Sequence, residues 1–102
     1  MEQAIINLVK NAIESLAQTT EPMIKIQAGK LGNGKVRIDV SDNGKGIPSE
    51  NFDKIFVPFY TTKEKGTGIG LSISRQIIQL HKGTLTLQSL PGSETRFMIE
   101  IP

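Results

Sequence analysis

The sequence predicts an α+β fold in two layers, with two helices lying on one face of a four-stranded sheet. Three patterns predict it. Apolar residues recur at helical spacing in two stretches, apolar and polar residues alternate strictly in four others, and turn-forming residues separate them. Alternating strands give a sheet one apolar and one polar face, so both helices are expected on the same side.

The elements follow in order. From Glu2 to about Gln18, Ile5, Leu8, Val9, Ala12, Ile13 and Leu16 form the apolar face of a helix that Thr19, Thr20 and Pro22 stop. Ile24, Ile26 and Ala28 then alternate with Lys25 and Gln27, and Val36, Ile38 and Val40 alternate with Arg37 and Asp39. Gly32-Asn33-Gly34 between them supplies the positive-φ residues of a hairpin turn. Asp42 to Pro48 is turn chemistry, and Ser49 with Phe52 reads as a capped short helix ending near Phe56. Val57 to Gly70 lacks periodicity and reads as a long loop. Leu71, Ile73, Ile77, Ile78 and Leu80 predict a second helix, with Gly83 as its left-handed cap. Leu85 and Leu87, the turn Pro91-Gly92-Ser93, and Phe97, Ile99 and Ile101 predict a closing hairpin.

Composition narrows the function classes. A length of 102 residues supports one core. The 12 basic and 10 acidic residues are interleaved, so no nucleic-acid-binding patch is expected. The absence of cysteine excludes disulfides, thiolate metal sites and thiol nucleophiles. No apolar run is long enough to span a membrane, and a soluble piece without direct membrane contact is expected.

Three clusters carry candidate chemistry. Gly66, Gly68 and Gly70 precede the second helix, where bare backbone N–H groups and the helix dipole suit a phosphate; taken alone, an ordinary flexible loop is the simpler reading. Neither the Walker A loop nor the dinucleotide fingerprint is present. Strand parity puts Asp42 on the same side as Ile38 and Val40, so a carboxylate is aimed at the apolar layer. It either caps its own loop or accepts a hydrogen bond from a donor such as the amine of adenine. Asn7, Asn11 and Glu14 share a helix stripe that is either solvated or turned into a cleft, where an amide oxygen can join a Mg²⁺ shell.

Taken together and in order, these segments resemble the catalytic ATP-binding domain of sensor histidine kinases, whose superfamily includes gyrase, heat-shock chaperone and mismatch-repair ATPases. Asn7-Leu8-Val9-Lys10-Asn11-Ala12 is similar to the N box, and Asp42-Asn43-Gly44-Lys45-Gly46-Ile47-Pro48 to the first glycine box. Phe56-Val57-Pro58-Phe59 resembles the F box, and Gly66-Thr67-Gly68-Ile69-Gly70-Leu71 the second glycine box. Phe59-Tyr60-Thr61-Thr62-Lys63 resembles the loop of nitrogen-regulation kinases.

The resemblance implies a Bergerat-type sandwich with a mixed sheet and ATP and Mg²⁺ as cofactors. It implies that residues 1–102 form one catalytic domain lacking an upstream strand and the histidine-bearing dimerisation domain. By the same resemblance Asn11 would be the Mg²⁺ ligand, and Asn7 would assist at the phosphates. Asp42 would read adenine, with Gly44 and Gly46 letting the base approach and Thr95 supporting it through water. Gly66, Thr67, Gly68, Gly70 and Leu71 would cradle phosphate, and Lys63, in a short lid, would reach the γ-phosphate, whereas Lys65 is expected to be solvated. Phe56 and Phe59 would be hydrophobic pins or simple core filling. His81 would bond the last carbonyls of its helix rather than accept phosphate. The implied partners are the dimerisation domain of a homodimeric parent and, through it, a response regulator, in the cytoplasm of a parent that is either soluble or membrane-anchored. A serine kinase of the anti-sigma-factor type and an ATP-sensing module without transfer remain alternatives.

Overall fold

The computed structural model describes residues 1–47, 50, 52, 54–56, 70–90 and 94–102. Two helices, α1 (Glu2–Ser15) and α2 (Gly70–Leu80), accompany four strands: β1 (Ile24–Lys30), β2 (Val36–Asp42), β3 (Thr84–Leu90) and β4 (Glu94–Ile101). The sheet order is β1-β2-β4-β3, with every neighbouring pair antiparallel. This corrects the mixed sheet that the resemblance implied. Two hairpins lie side by side through β2 and β4, so β2 and β3 run the same way without being neighbours.

Because directly paired residues of an antiparallel sheet share a face, the register assigns the core. Val40 opposes Phe97, which opposes Leu87, and Ile38 opposes Ile99, which opposes Leu85. Val40, Phe97 and Ile99 are buried together with Ala4, Leu8, Ala12, Ile55 and Ile78. Both helices therefore cover one face, as the alternation predicts. The other face carries ion pairs such as Arg37 Nε to Asp39 Oδ1 at 2.9 Å. That hydrogen bond, with the charge of Asp39, raises the Arg37 pKa further.

The inward face of α1 includes Leu8 and Ala12, with Ile5 and Val9 packed against the core, as expected, but it gains Ala4 and loses Ile13. Ala4, Leu8 and Ala12 point to the core, whereas Ile13 is 57% exposed. The alanines let α2 come close, and buried Ser74 of α2 places Oγ 3.3 Å from the Ala4 carbonyl. Ile26, on the edge strand β1, is also 54% exposed. Leu80, expected on the apolar face of its helix, is 82% exposed at the last turn of α2. Regular α1 ends at Ser15, and bonds from Leu16 N to Ile13 O and Ala17 N to Glu14 O continue it as tight turns toward Gln18.

The α2 terminus corrects a second expectation. Lys82, not Gly83, holds the left-handed conformation, at φ 61°. Lys82 N bonds Gln79 O at 2.9 Å and Gly83 N bonds Ile78 O at 2.9 Å, a Schellman ending with Lys82 in the left-handed position. Gly83 is needed for another reason: a Cβ there would sit 2.6 Å from the Glu100 carbonyl oxygen and 3.1 Å from Ile78 Cγ2. His81 Nδ1 lies 2.9 Å from Ile77 O and, facing a carbonyl, carries the proton, in agreement with the helix-end role expected for it. The short helix from Ser49 falls in part outside the described residues, as does the turn Pro91-Gly92-Ser93.

Gly83→Ala is expected to lower unfolding free energy by about 1–3 kcal/mol through overpacking. Lys82→Gly is expected to leave it unchanged or raise it by up to about 1 kcal/mol, by relieving the left-handed backbone. Urea denaturation of both variants checks the assignment, and the opposite order contradicts it.

A nucleotide-sized site along helix α1

Asp42 ends β2 and is 4% exposed, on the helix-covered side of the sheet as strand parity predicts. The register sets Ile24, Asp42, Thr95 and Ser89 in one row across the four strands. Thr95 is 3% exposed, and its Oγ1 lies 3.1 Å from Ser89 Oγ. The strand carrying Thr95 thus does pass beside Asp42.

A buried carboxylate needs donors. Ser15 Oγ lies 2.9 Å from Asp42 Oδ1, and Gly44 N donates to the same oxygen at 2.9 Å. Among the described residues both bonds converge on Oδ1, so Oδ2 is the oxygen left for a further donor.

The loop after Asp42 is fastened along its length. Asn43 Oδ1 accepts from Met23 N at 2.7 Å, and Asn43 Nδ2 donates to Glu21 O at 3.1 Å. Lys45 N donates to Ser15 O at 3.4 Å, and Ile47 N to Ser89 Oγ at 2.9 Å. Gly46 takes φ 78°, which favours glycine. Gly44 is glycine because of α1: a Cβ would come 2.5 Å from both Ser15 O and Ser15 Oγ and 2.9 Å from Asp42 Oδ1. The physical demand on Gly44 is therefore the end of a helix.

The other end of the site is joined to the same helix. Asn7 Nδ2 donates to the Gly70 carbonyl at 3.3 Å, and Asn7 Oδ1 accepts from Gln3 Nε2 at 2.9 Å. Ser74 Oγ donates to the same Gly70 carbonyl at 2.9 Å. The first residue of α2 is thus tied to the N-terminal half of α1. Among the described residues no acidic side chain occupies the first turn of α2, where one would offset the positive end of the helix dipole.

Asn7, Asn11 and Ser15 are spaced four apart and form one stripe that runs from Gly70 to Asp42. Eight residues of helix span about 12 Å, the length scale of an extended nucleoside polyphosphate. Asn11, half-buried, sits midway and is engaged in an interaction of its own. Ser15 and Gly44 also line an open recess of about 440 Å³ with Glu14, Ala17, Gln18, Thr19 and Lys45. That size suits a small-molecule site. Asp42 borders a smaller recess of about 150 Å³ with Met23, Lys25, Ser41, Asn43 and Glu94.

Phe56 packs edge-on against core Phe97, with centroids 6.5 Å apart, and Arg75 of α2 places its guanidinium carbon 5.2 Å from the Phe56 ring centre. The core-filling role of Phe56 is thereby observed, with a cation–π contact added. Leu71 is half-buried and packs against the core. Lys63, Lys65, Gly66, Thr67, Gly68 and Phe59 lie outside the described residues.

The donor set fits Mg²⁺. Among the described residues no group of three or more His, Cys, Asp or Glu side chains could form a protein cage. A Mg²⁺ held chiefly by phosphates and water needs only one or two hard oxygens from the protein, and an amide oxygen such as that of Asn11 is a hard oxygen of this kind.

A family model described as histidine kinase-, DNA gyrase B-, and HSP90-like ATPase matches residues 1–102. The chain belongs to that family. It is 39% identical over all 102 residues to the sensor histidine kinase ZraS of Escherichia coli O157:H7, spanning 22% of that protein's length. Among solved structures, the nucleotide-free catalytic domain of the histidine kinase ThkA is 44% identical, with a TM-score of 0.83 over 98% of this chain and 64% of that one. Full-length ShkA, solved in complex with AMPPNP, superposes with a TM-score of 0.86 at 27% identity, covering 98% of this chain and 20% of that one. The nitrogen-regulation subtype is not supported, because the chain is as similar to ZraS, AtoS and the C4-dicarboxylate transport sensor DctB as to the sensory kinase NtrB. None of the described helices is long and apolar enough to cross a membrane.

Sequence reasoning missed Ser15, Asn43, Arg75 and Ser89. Ser15 was within reach, being one further four-residue step along the Asn7–Asn11 stripe. Gly44→Ala is expected to destabilise the nucleotide-free protein by about 1–3 kcal/mol, as overpacking against backbone does. A thermal melt without ligand checks this, since a glycine required only for base approach would leave the melting temperature unchanged.

Proposed function

We propose that this chain binds Mg-ATP as the catalytic domain of a sensor histidine kinase and passes the γ-phosphate to a histidine in a dimerisation domain of a longer protein. The observation that carries this reading is the stripe on α1, which links the carboxylate of Asp42 at one end to the start of α2 at the other. Family membership makes adenine nucleotide the ligand to fit between them.

Asp42 accepts the exocyclic amine of adenine, with Thr95 beside it, and Gly46 keeps the loop clear of the base. Gly66, Thr67, Gly68, Gly70 and Leu71 surround the phosphates ahead of the α2 dipole. Asn11 supplies an oxygen to Mg²⁺, and Lys63 approaches the γ-phosphate. When bound, Mg²⁺ neutralises phosphate charge and fixes the geometry of transfer. Asn7 acts mainly as a strut, since its donor and acceptor are engaged by Gly70 and Gln3. An amide is not a general base, so nothing at that position activates water. ATP then persists until a neutral imidazole, itself a nucleophile, reaches the γ-phosphate. The dimerisation domain of a homodimeric parent and a response regulator are the partners this chemistry requires. The chain's 22% share of ZraS leaves room in such relatives for those domains.

Asp42→Ala is expected to weaken Mg-ADP binding at least tenfold, the cost of a hydrogen bond to a charged group. Asn11→Ala is expected to reduce chiefly the Mg²⁺ dependence of binding. Calorimetry with and without Mg²⁺ tests both, and parental binding by the two variants contradicts the site. Labelled ATP with the dimerisation domain supplied in trans is expected to give an acid-labile phosphohistidine; an acid-stable product supports the serine-kinase reading.

A further inference from the structure

Ser15 stands at the C-terminal end of α1 with one hydroxyl hydrogen and two acceptors in reach. These are the Ala12 carbonyl at 3.1 Å and Asp42 Oδ1 at 2.9 Å. A carboxylate is the stronger acceptor, which directs the hydrogen to Asp42. The second donor to that oxygen, Gly44 N, belongs to a backbone that Lys45 N fastens to Ser15 O. Ser15 thus meets the carboxylate directly through its side chain and, through its own carbonyl, steadies the other donor.

We propose that Ser15 is a positioning residue that sets the base selectivity of the nucleotide site by holding the Asp42 carboxylate with Oδ2 turned to the purine 6-position. The inference rests on the reading of Asp42 as the base contact. Two donors on Oδ1 fix the plane of a carboxylate whose χ2 torsion is otherwise broad. An ionised carboxylate only accepts hydrogen bonds. A fixed Oδ2 therefore welcomes a 6-amino group and opposes a 6-oxo group, which presents an acceptor at the same place. Without the serine hydroxyl one donor remains, the carboxylate is free to turn, and water can bridge it to a 6-oxo purine. Affinity for the amino base falls while the penalty against the oxo base relaxes.

Calorimetry of this chain with Mg-ADP and with Mg-inosine diphosphate tests the assignment. The parent is expected to prefer ADP by about tenfold or more. Ser15→Ala is expected to lower ADP affinity about tenfold while changing inosine diphosphate affinity little, so the ratio narrows. Ser15→Thr, which keeps a hydroxyl, is expected to restore the ratio. A merely structural role for Ser15 moves both affinities together and leaves the ratio intact. If Ser15→Ala keeps the parental ratio while Asp42→Asn collapses it, the role of Ser15 is overturned and the base contact stands. If Asp42→Asn also keeps the ratio, the base contact itself fails, and this inference with it.

Discussion

A carboxylate closed in at the end of an inner strand is the constraint that organises this molecule. Asp42 lies under α1, away from bulk water, and a charge there persists only with donors close by. The last turn of α1 supplies one through Ser15, and the backbone of Gly44 supplies the other. Both must converge on the same oxygen, so the helix end, the strand end and the following loop are fixed against one another. Gly44 is the consequence with the least freedom, because the space a side chain would need is occupied by Ser15. Asn43 completes the arrangement from outside by pinning the chain at Glu21 and Met23 to the same corner.

With its C-terminal end fixed to the sheet, α1 becomes a ruler. Its alanines bring α2 close, Ser74 and Asn7 both meet the carbonyl of Gly70, and the start of α2 is thereby set at a defined distance from Asp42. One helix face thus connects an acceptor suited to a base with a helix N-terminus suited to phosphate, and Asn11 stands between them. The fold is in this sense a spacing device, and the proposed chemistry uses it to hold a charged, elongated ligand.

Much of this was legible in the sequence, because periodicity reports burial directly. The four strands, both helices and the inward aim of Asp42 follow from alternation and spacing alone. What periodicity does not report is which apolar residue of a broad helix face meets another element. Ile13 and Ile26 look like core residues but are more than half exposed, whereas Ala4 looks bland and is fully buried. Glycines misled for a related reason. Sequence announces that a side chain is excluded without naming the cause, so Gly83 resembled a left-handed cap, and the helix end that crowds Gly44 went unseen. In each case a neighbouring backbone oxygen is what excludes the side chain. The spacing of Asn7 and Asn11 extends to Ser15, but what its hydroxyl meets is set by the strand opposite it.

The central claim is that Asp42 and the start of α2 hold opposite ends of one nucleotide, and a two-dimensional NMR titration of the isotope-labelled chain with Mg-ADP tests it most directly. The account predicts that the amide resonances of Gly44 and Thr95 at one end, and of Leu71 and Ser72 at the other, shift together and saturate with a single dissociation constant. Shifts confined to one end, or two ends saturating with different constants, would contradict it.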